Sequence, residues 1–267
     1  PDNPTTLFKR EQTTIEQIVN EPGAVIDIET ENWQKGEDSI FMLVYASPTR
    51  QIIMHNFPFD FSEQENFELI RYNTQQELGE LLTKTVQEED PLWIYGHNIM
   101  GFDQIKLRGL TQAYHPSTNE THPITKASMG LGRVITRGRF TLDTYRYMFN
   151  YRNIFTTNKL ESLVALNKSI NYQEQAQLVI QSRKGDEDAF RKLVHYCIED
   201  GIYSRKAAEL FKRLVVAKSL YFQTPPRHNL FFLQTKCSKR SMETKTFSRK
   251  RQLCGCLENL FLQRRQP

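Results

Sequence analysis

Long apolar runs and a cysteine framework are both missing from this 267-residue sequence. No stretch approaches the roughly 20 consecutive apolar residues of a membrane-spanning helix. The first ten residues also lack the basic-then-apolar pattern of a signal peptide. Of the four cysteines, only Cys197 lies before residue 221, which argues against a disulfide scaffold. We therefore expect no membrane partner and an intracellular location, in the cytoplasm or in a eukaryotic nucleus.

The remaining composition is that of a folded protein with an unusual distribution of charge. Hydrophobic residues make up 39% and charged residues 25%, which is near the globular average and disfavours global disorder. From Tyr221 onward there are ten basic and two acidic residues, whereas residues 1–220 carry 25 basic and 29 acidic ones. An acidic body with a basic tail is compatible with a nucleic-acid partner.

The chain divides into three parts by pattern. Residues 1–20 are a polar arm or a short amphipathic helix, residues 21–219 form the folded domain, and residues 220–267 are a basic, cysteine-containing tail. Within the domain we predict strands at 24–30, 40–46, 51–55, 92–95, 133–136 and 139–142, the last two as short strands or a hairpin, and helices at 74–89, 102–114, 144–150, 159–167 and 186–218. This order indicates an α/β fold with a mixed sheet flanked by helices.

Asp27 and Glu29 are acids where a core is expected. They lie two residues apart on a predicted strand, so both project from one face. Their apolar neighbours, Val25, Ile26 and Ile28, indicate a buried strand, in which two carboxylates would cost several kcal/mol per ion unless neutralised. A divalent cation such as Mg²⁺ would supply that charge. Alternatively, the strand ends at Ile26 and the acids are solvated.

Asp200 is a second misplaced acid. A predicted helix places it within an apolar stripe at about 100° per residue, formed by Phe190, Leu193, Cys197, Ser204, Ala207, Ala208, Phe211 and Val215. Packing this stripe buries the carboxylate, and the adjacent Gly201 leaves room for close approach. A buried aspartate satisfied by backbone groups, Arg133 or Arg137 is the alternative.

Asp103 is the third acidic position, at the point where a buried strand turns into a helix. The carboxyl ends of strands in α/β folds are preferred ligand positions. An aspartate in the first helical turn also stabilises the helix dipole by a few tenths of a kcal/mol, and Asn98 would serve equally as a turn residue or cap. Together, the acids can converge on one metal-binding corner.

Three segments resemble the motifs of the DEDD 3′→5′ exonucleases: Asp27-Ile28-Glu29-Thr30, Asn98-x-x-x-Phe102-Asp103 and Tyr196-x-x-x-Asp200. The version with tyrosine resembles the proofreading exonuclease domain of family B DNA polymerases, over about residues 23–215. The resemblance implies a ribonuclease H-like fold with a mixed five-stranded sheet flanked by helices. It also implies release of nucleoside 5′-monophosphates from the 3′ end of single-stranded DNA, in proofreading or repair.

The resemblance also implies roles for individual residues. Two divalent cations, Mg²⁺ or Mn²⁺, would bridge the scissile phosphate and stabilise the attacking and leaving oxygens. Tyr196 would orient the attacking water. The implied metal ligands are Asp27, Glu29, Asp103 and Asp200, and the implied 3′-end-binding residues are Thr30, Asn98 and Phe102.

His195 competes with Tyr196, because His195 precedes Asp200 by five residues and so fits the histidine branch of the same family. If the helix already runs through 190–194, His195 points about 140° away from Asp200 and Tyr196 only about 40° away. We therefore favour Tyr196, a preference that would not hold for a helix starting after His195. Two other polar residues are discounted, since Asp143 is expected to cap the helix from Thr144 and His97 to make a turn hydrogen bond.

Several alternatives stay open at this point. RNA is not excluded as substrate, because no motif reads the 2′-hydroxyl. A non-catalytic nucleic-acid-binding or polymerase-accessory module would share the fold. The basic tail would suit docking to a DNA polymerase or replication protein. A zinc site in the tail is disfavoured because its candidate ligands, His228, Cys237, Cys254 and Cys256, are irregularly spaced.

Overall fold

The computed structural model describes most of the region before residue 223, in the ranges 15–31, 39–59, 66–108, 110, 112–115, 120–123, 125–127, 134–136, 139–150, 157, 159–160, 170 and 172–222. Residues 223–267 of the basic tail, with the candidate zinc ligands, lie outside these ranges, as do Arg133, Arg137 and most of the helix predicted at 159–167. No helix of the described part is both long and apolar enough to cross a membrane.

The described residues form an α/β fold. Its helices are α1 (Ile15–Asn20), α2 (Gln75–Glu89), α3 (Asp103–Lys106), α4 (Thr144–Asn150), α5 (Tyr172–Arg183) and α6 (Glu187–Phe222). Its strands are β1 (Gly23–Thr30), β2 (Ile40–Ala46), β3 (Gln51–His55), β4 (Glu68–Arg71), β5 (Trp93–Gly96), β6 (Gln112–His115), β7 (Glu120–Pro123), β8 (Thr125–Ala127), β9 (Val134–Thr136) and β10 (Phe140–Asp143).

A mixed six-stranded sheet in the order β10-β5-β1-β2-β3-β4 organises the fold. Strands β5 and β10 run parallel to β1, whereas β2 is antiparallel to it, β3 is antiparallel to β2, and β4 is parallel to β3. The expectation of a five-stranded sheet was wrong, because it did not include β4. That strand has only two apolar residues between Glu68 and Arg71, so its sequence carries little strand signal.

Two apolar layers enclose the sheet. One lies between the sheet and α6 and contains Val25, Val44 and Phe211, and the other lies against α2 and contains Ile26, Leu43 and Leu82. Fully burying side chains of this size stabilises the fold by about 1.5–3 kcal/mol each. Since successive residues of a strand face opposite sides, β1 contributes to both layers.

Helix α6 is capped at its start and bonded to the sheet region in its second half. Asp186 accepts a hydrogen bond from the Ala189 amide at 3.0 Å and so caps the start of the helix. Further along, the Tyr95 hydroxyl of β5 donates to Glu209 Oε1 at 2.8 Å, and Lys212 Nζ donates to the carbonyl of Glu21, just before β1, at 2.8 Å. The last two contacts connect α6 to β5 and to the start of β1.

The predicted elements were confirmed where their pattern was long and regular. Helix α2 begins after Thr74, whose hydroxyl accepts from the Glu77 amide at 3.1 Å. The predicted stripe of α6 is buried as expected. The helix predicted at 102–114 was wrong, because α3 ends at Lys106 and residues 112–115 pair with β7. The glycine at 109 disfavours continuation of a helix by about 1 kcal/mol.

Two further differences concern segments with weak patterns. A hairpin over 133–142 is not formed, because β9 pairs with β8 and β10 pairs with β5 in the main sheet. Helix α5 was not predicted, since its glutamine-rich sequence has no clear apolar stripe. The pairing of β10 with β5 places Asp143 directly beside the end of β5.

Candidate functional site

The acids of β1 lie on the side of the sheet that α6 covers. Asp27 pairs with Val44 and Glu29 with Met42 in the ladder with β2, and the strand continues to Thr30. The alternative in which the strand ends at Ile26 is therefore wrong. Both carboxylates are half-buried, whereas Ile26 and Ile28 on the other face are fully buried. A register shift between Glu29 and Thr30 marks the end of regular pairing.

Tyr196 and Asp200 face these acids from α6. Their exposed fractions are 7% and 9%, and the Tyr196 hydroxyl donates a hydrogen bond to the Asp200 carboxylate. Burial raises the pKa of Tyr196 most, and the negative charges of Asp200 and Glu29 raise it further. The phenol therefore stays protonated between a carboxylate of α6 and a carboxylate of β1.

His195 lies apart from the acids. Helix α6 begins at Glu187, so it already runs through residues 190–194. The helical geometry that points His195 away from Asp200 therefore applies. The His195 side chain is exposed, and its ring meets the Phe67 ring edge-on at a centroid distance of 6.2 Å. The geometry thus groups Tyr196, and not His195, with Asp200.

Gly201 explains how α6 comes so close to the acidic strands. A Cβ atom at residue 201 would lie 2.8 Å from Val44 Cγ1, nearer than side-chain atoms normally approach. Val44 is the ladder partner of Asp27. The missing side chain therefore lets the turn of helix that carries Asp200 rest on the strand directly beside Asp27.

Asp103 approaches β1 along the edge of the strand that faces β5. It is the first residue of α3, is 3% exposed, and accepts a hydrogen bond through Oδ1 from the Ile28 amide at 3.0 Å. Strand β5 pairs with β1 only as far as Val25, so the sheet leaves this amide to another acceptor. Asp103 therefore occupies the gap that opens between β1 and β5.

The electrostatics of Asp103 show how close it lies to Asp27. Burial raises the pKa of Asp103 well above its ordinary value, and the charge of Asp27 raises it further. Hydrogen bonds from its own backbone and from Ile28 oppose this increase. Asp103 and Asp27 thus form one interacting pair, while Glu29, Tyr196 and Asp200 form a second group.

The turn before α3 carries the two residues that the motif assigns to substrate. Asn98 has a left-handed backbone with φ +66°, and its carbonyl accepts from the amides of Gly101 and Phe102 at 2.9 and 3.0 Å. Phe102 is half-buried, and Lys106 Nζ lies 5.8 Å from its ring centre. Thr30, half-buried at the end of β1, is the third residue in this group.

Asp143 makes the helix cap expected of it, and His97 makes a hydrogen bond, although its partner is distant in sequence. Asp143 Oδ1 accepts from the Arg146 amide at 3.1 Å, which is a helix N-cap. His97 Nδ1 lies 2.9 Å from Thr144 Oγ1. Sequence reasoning missed the further bonds of Asp143 to the Asn98 and Met100 amides, both at 3.0 Å. No local signal reveals them, since the partners are 45 and 43 residues away.

The donor chemistry of the site fits a hard divalent cation. Carboxylate oxygens are the ligands that Mg²⁺ and Mn²⁺ prefer, and the raised pKa of Asp103 reflects burial beside a second carboxylate, which a cation would offset. As the side chains stand, no three His, Cys, Asp or Glu of the described residues are grouped closely enough to hold a metal ion. The acids form two neighbouring groups across β1.

Comparison of the sequence with protein-family models and with curated proteins gives no match in either case.

Proposed function

We propose that this chain is a two-metal-dependent 3′→5′ exonuclease that releases nucleoside 5′-monophosphates from the 3′ end of single-stranded DNA. The observation that carries the proposal is the convergence of acids from three separate elements on the end of β1. Asp103 bonds to the β1 backbone between Asp27 and Glu29, and Asp200 reaches the same strand through Tyr196.

The order of elements supports a ribonuclease H-like fold, which belongs to the same proposal. The chain runs through the antiparallel strands β1, β2 and β3, then through the short edge strand β4 and α2, and returns in β5 parallel to β1. The acids of β1 lie on the part of the strand beyond its last pairing with β5, at Val25. Ligands of open α/β sheets bind at the carboxyl ends of strands, so this gap is the expected position for a terminal phosphate.

The chain's own residues would divide the work at that position. Asp27, Glu29, Asp103 and Asp200 would hold the two cations, which neutralise charge on the attacking and leaving oxygens when bound. Tyr196 would orient the attacking water with its hydroxyl, which stays protonated beside two carboxylates. Thr30, Asn98 and Phe102 would hold the terminal nucleotides, Phe102 by stacking.

A timed digest of end-labelled single-stranded DNA and RNA, with Mg²⁺, Mn²⁺ or EDTA in parallel, tests the proposal. We expect stepwise release of mononucleotides from the 3′ end with either metal and none with EDTA. Asp200→Ala should abolish release but keep binding of a 3′-ended oligonucleotide. The matched control is Glu199→Ala, which removes an exposed acid one residue earlier on the same helix.

Two results would overturn the proposal. One is undiminished release from the Asp200→Ala protein, and the other is release that persists in EDTA. Calorimetry adds a second measurement, because absence of Mg²⁺ or Mn²⁺ binding at millimolar concentration would favour a non-catalytic nucleic-acid-binding or polymerase-accessory module. Comparison of the DNA and RNA digests would decide which nucleic acid is preferred, because the sequence motifs do not distinguish the two.

A further inference from the structure

Asp143 makes more hydrogen bonds than capping a helix requires. Its side chain is fully buried at the end of β10. Oδ1 accepts from the amides of Arg146 and Asn98, at 3.1 and 3.0 Å, while Oδ2 accepts from the Met100 amide at 3.0 Å. Arg146 Nε lies 3.6 Å from Oδ2. Of the three amides, that of Arg146 alone belongs to the helix that Asp143 caps.

The other two amides belong to the turn that leads from β5 into the site. Strands β5 and β10 are parallel neighbours, and Gly96 pairs with Asp143, so the carboxylate lies beside the first residues after β5. A turn whose backbone N–H groups converge in this way forms an anion-binding concavity. The carboxylate of Asp143 is the anion that this turn binds.

The same turn sets the position of Asp103. Helix α3 is only four residues long, and no side chain caps its start. The two residues before the helix are held instead by the Asn98 carbonyl, which accepts from the Gly101 and Phe102 amides. Inside the helix, the Gln104 amide donates to the Ile99 carbonyl at 2.9 Å. Asn98 has a left-handed backbone, a conformation that asparagine adopts more readily than most residues, and the contacts of the turn keep it there.

We propose that Asp143 is a positioning residue that holds the turn 98–102 in the conformation in which Asn98 and Asp103 reach the site. This inference rests on the proposed function. A cap alone needs a single acceptor, which Ser, Thr, Asn or Asp would supply almost equally well. Only a carboxylate has two acceptor oxygens, here one for the Arg146 and Asn98 amides and one for the Met100 amide. Residues that bond to the surroundings of metal ligands commonly act by orienting those ligands.

Asp143→Asn separates the two roles. The asparagine keeps one oxygen to cap α4, but its NH₂ group then faces the Met100 amide, donor against donor. We expect the Mn²⁺ dissociation constant, measured by calorimetry on the full chain, to rise about 10-fold or more, with a parallel loss of mononucleotide release. Asp143→Ser, which keeps a capping hydroxyl and is too short to reach Met100, should do the same and serves if Asp143→Asn does not fold.

Thr74→Ala is the matched control, because it removes the cap of a different helix, α2, and changes no side chain that is assigned to the site. It should lower the urea midpoint but leave the Mn²⁺ dissociation constant unchanged. If the wild-type chain binds Mn²⁺ and releases nucleotides, yet both Asp143 variants bind Mn²⁺ as Thr74→Ala does, the positioning role is overturned alone. If the wild-type chain neither binds Mn²⁺ nor releases nucleotides, the proposed function is overturned and this inference with it.

Discussion

The two faces of strand β1 have the same backbone but opposite chemistry. Towards α2 the strand presents Ala24, Ile26 and Ile28, and all three are buried in an apolar layer. Towards α6 it presents Val25 and then two carboxylates. Neither carboxylate belongs to the apolar layer on its side of the sheet. The acids therefore add no apolar burial to the core.

The contrast extends to the helices. Helix α2 meets the apolar face with Leu78, Leu82 and Val86, while α6 meets the other with Tyr196 and Asp200. Truncating an apolar side chain on the first face leaves a cavity. Removing a charge from the second face relieves repulsion in the metal-free protein. Substitutions on the two faces should thus affect different measurements.

Asp27→Ala should have the largest effect. Without this carboxylate, the rate of mononucleotide release should fall by about 10³-fold, which corresponds to about 4 kcal/mol of barrier. In EDTA, the free energy of unfolding should be unchanged or higher, because the repulsion between Asp27 and Asp103 is gone. A rate within a few-fold of wild type would show that the acidic face has no catalytic role.

Ile26→Ala tests the apolar face one residue earlier. Ile26 is 3% exposed, and truncation of such a side chain lowers the free energy of unfolding by about 3 kcal/mol. Urea denaturation would measure the decrease, and nucleotide release per folded molecule should stay close to wild type. The distinction between the faces would fail if this variant lost activity and kept its stability.

Tyr196→Phe removes only the hydroxyl that bonds to Asp200 and that the Glu29 charge acts on. We expect nucleotide release to slow by about 10²-fold with little change in oligonucleotide binding. His195→Ala, one residue earlier and exposed, is the control and should keep its rate. The opposite result, with His195 essential and Tyr196 dispensable, would give the role proposed for Tyr196 to His195.

The pH dependence of stability should show the smallest effect. Burial and the Asp27 charge raise the pKa of Asp103 in the folded state above its ordinary value of 3.8. Between the unfolded-state pKa and the folded-state pKa of Asp103, the folded protein therefore holds more protons than the unfolded chain. The free energy of unfolding of the metal-free protein should therefore fall as pH rises through that window. Urea titrations in EDTA should show a weaker fall for Asp103→Asn. An equal fall would mean that another group is responsible.

Sequence periodicity was sufficient to place a residue where its environment depends only on the helix or strand that contains it. Alternation along 23–30 is enough to place Asp27 and Glu29 on one face, and the helical stripe is enough to place Asp200 among buried residues. Both placements were confirmed. Helix α5 and strand β4 lack such a pattern, and only contacts with other elements make them regular.

Contacts between distant residues were beyond prediction for a physical reason. The bond from the Ile28 amide to Asp103 joins residues 75 apart, and it exists because β5 ends its pairing with β1 early. The partners of Asp143 depend likewise on β10 lying beside β5. Such contacts follow from strand order, and the sequence specified strand order only as a mixed sheet.

The contact between Gly201 and Val44 couples two positions in any variant of this protein. A methyl group at 201 would overlap Val44, so Gly201→Ala alone would displace helix α6 from the sheet. A simultaneous Val44→Ala would return the volume that the added methyl occupies. Residues 44 and 201 should therefore vary together, so that a larger residue at one position is matched by a smaller residue at the other. This coupling would arise from volume alone, since neither residue takes part in chemistry.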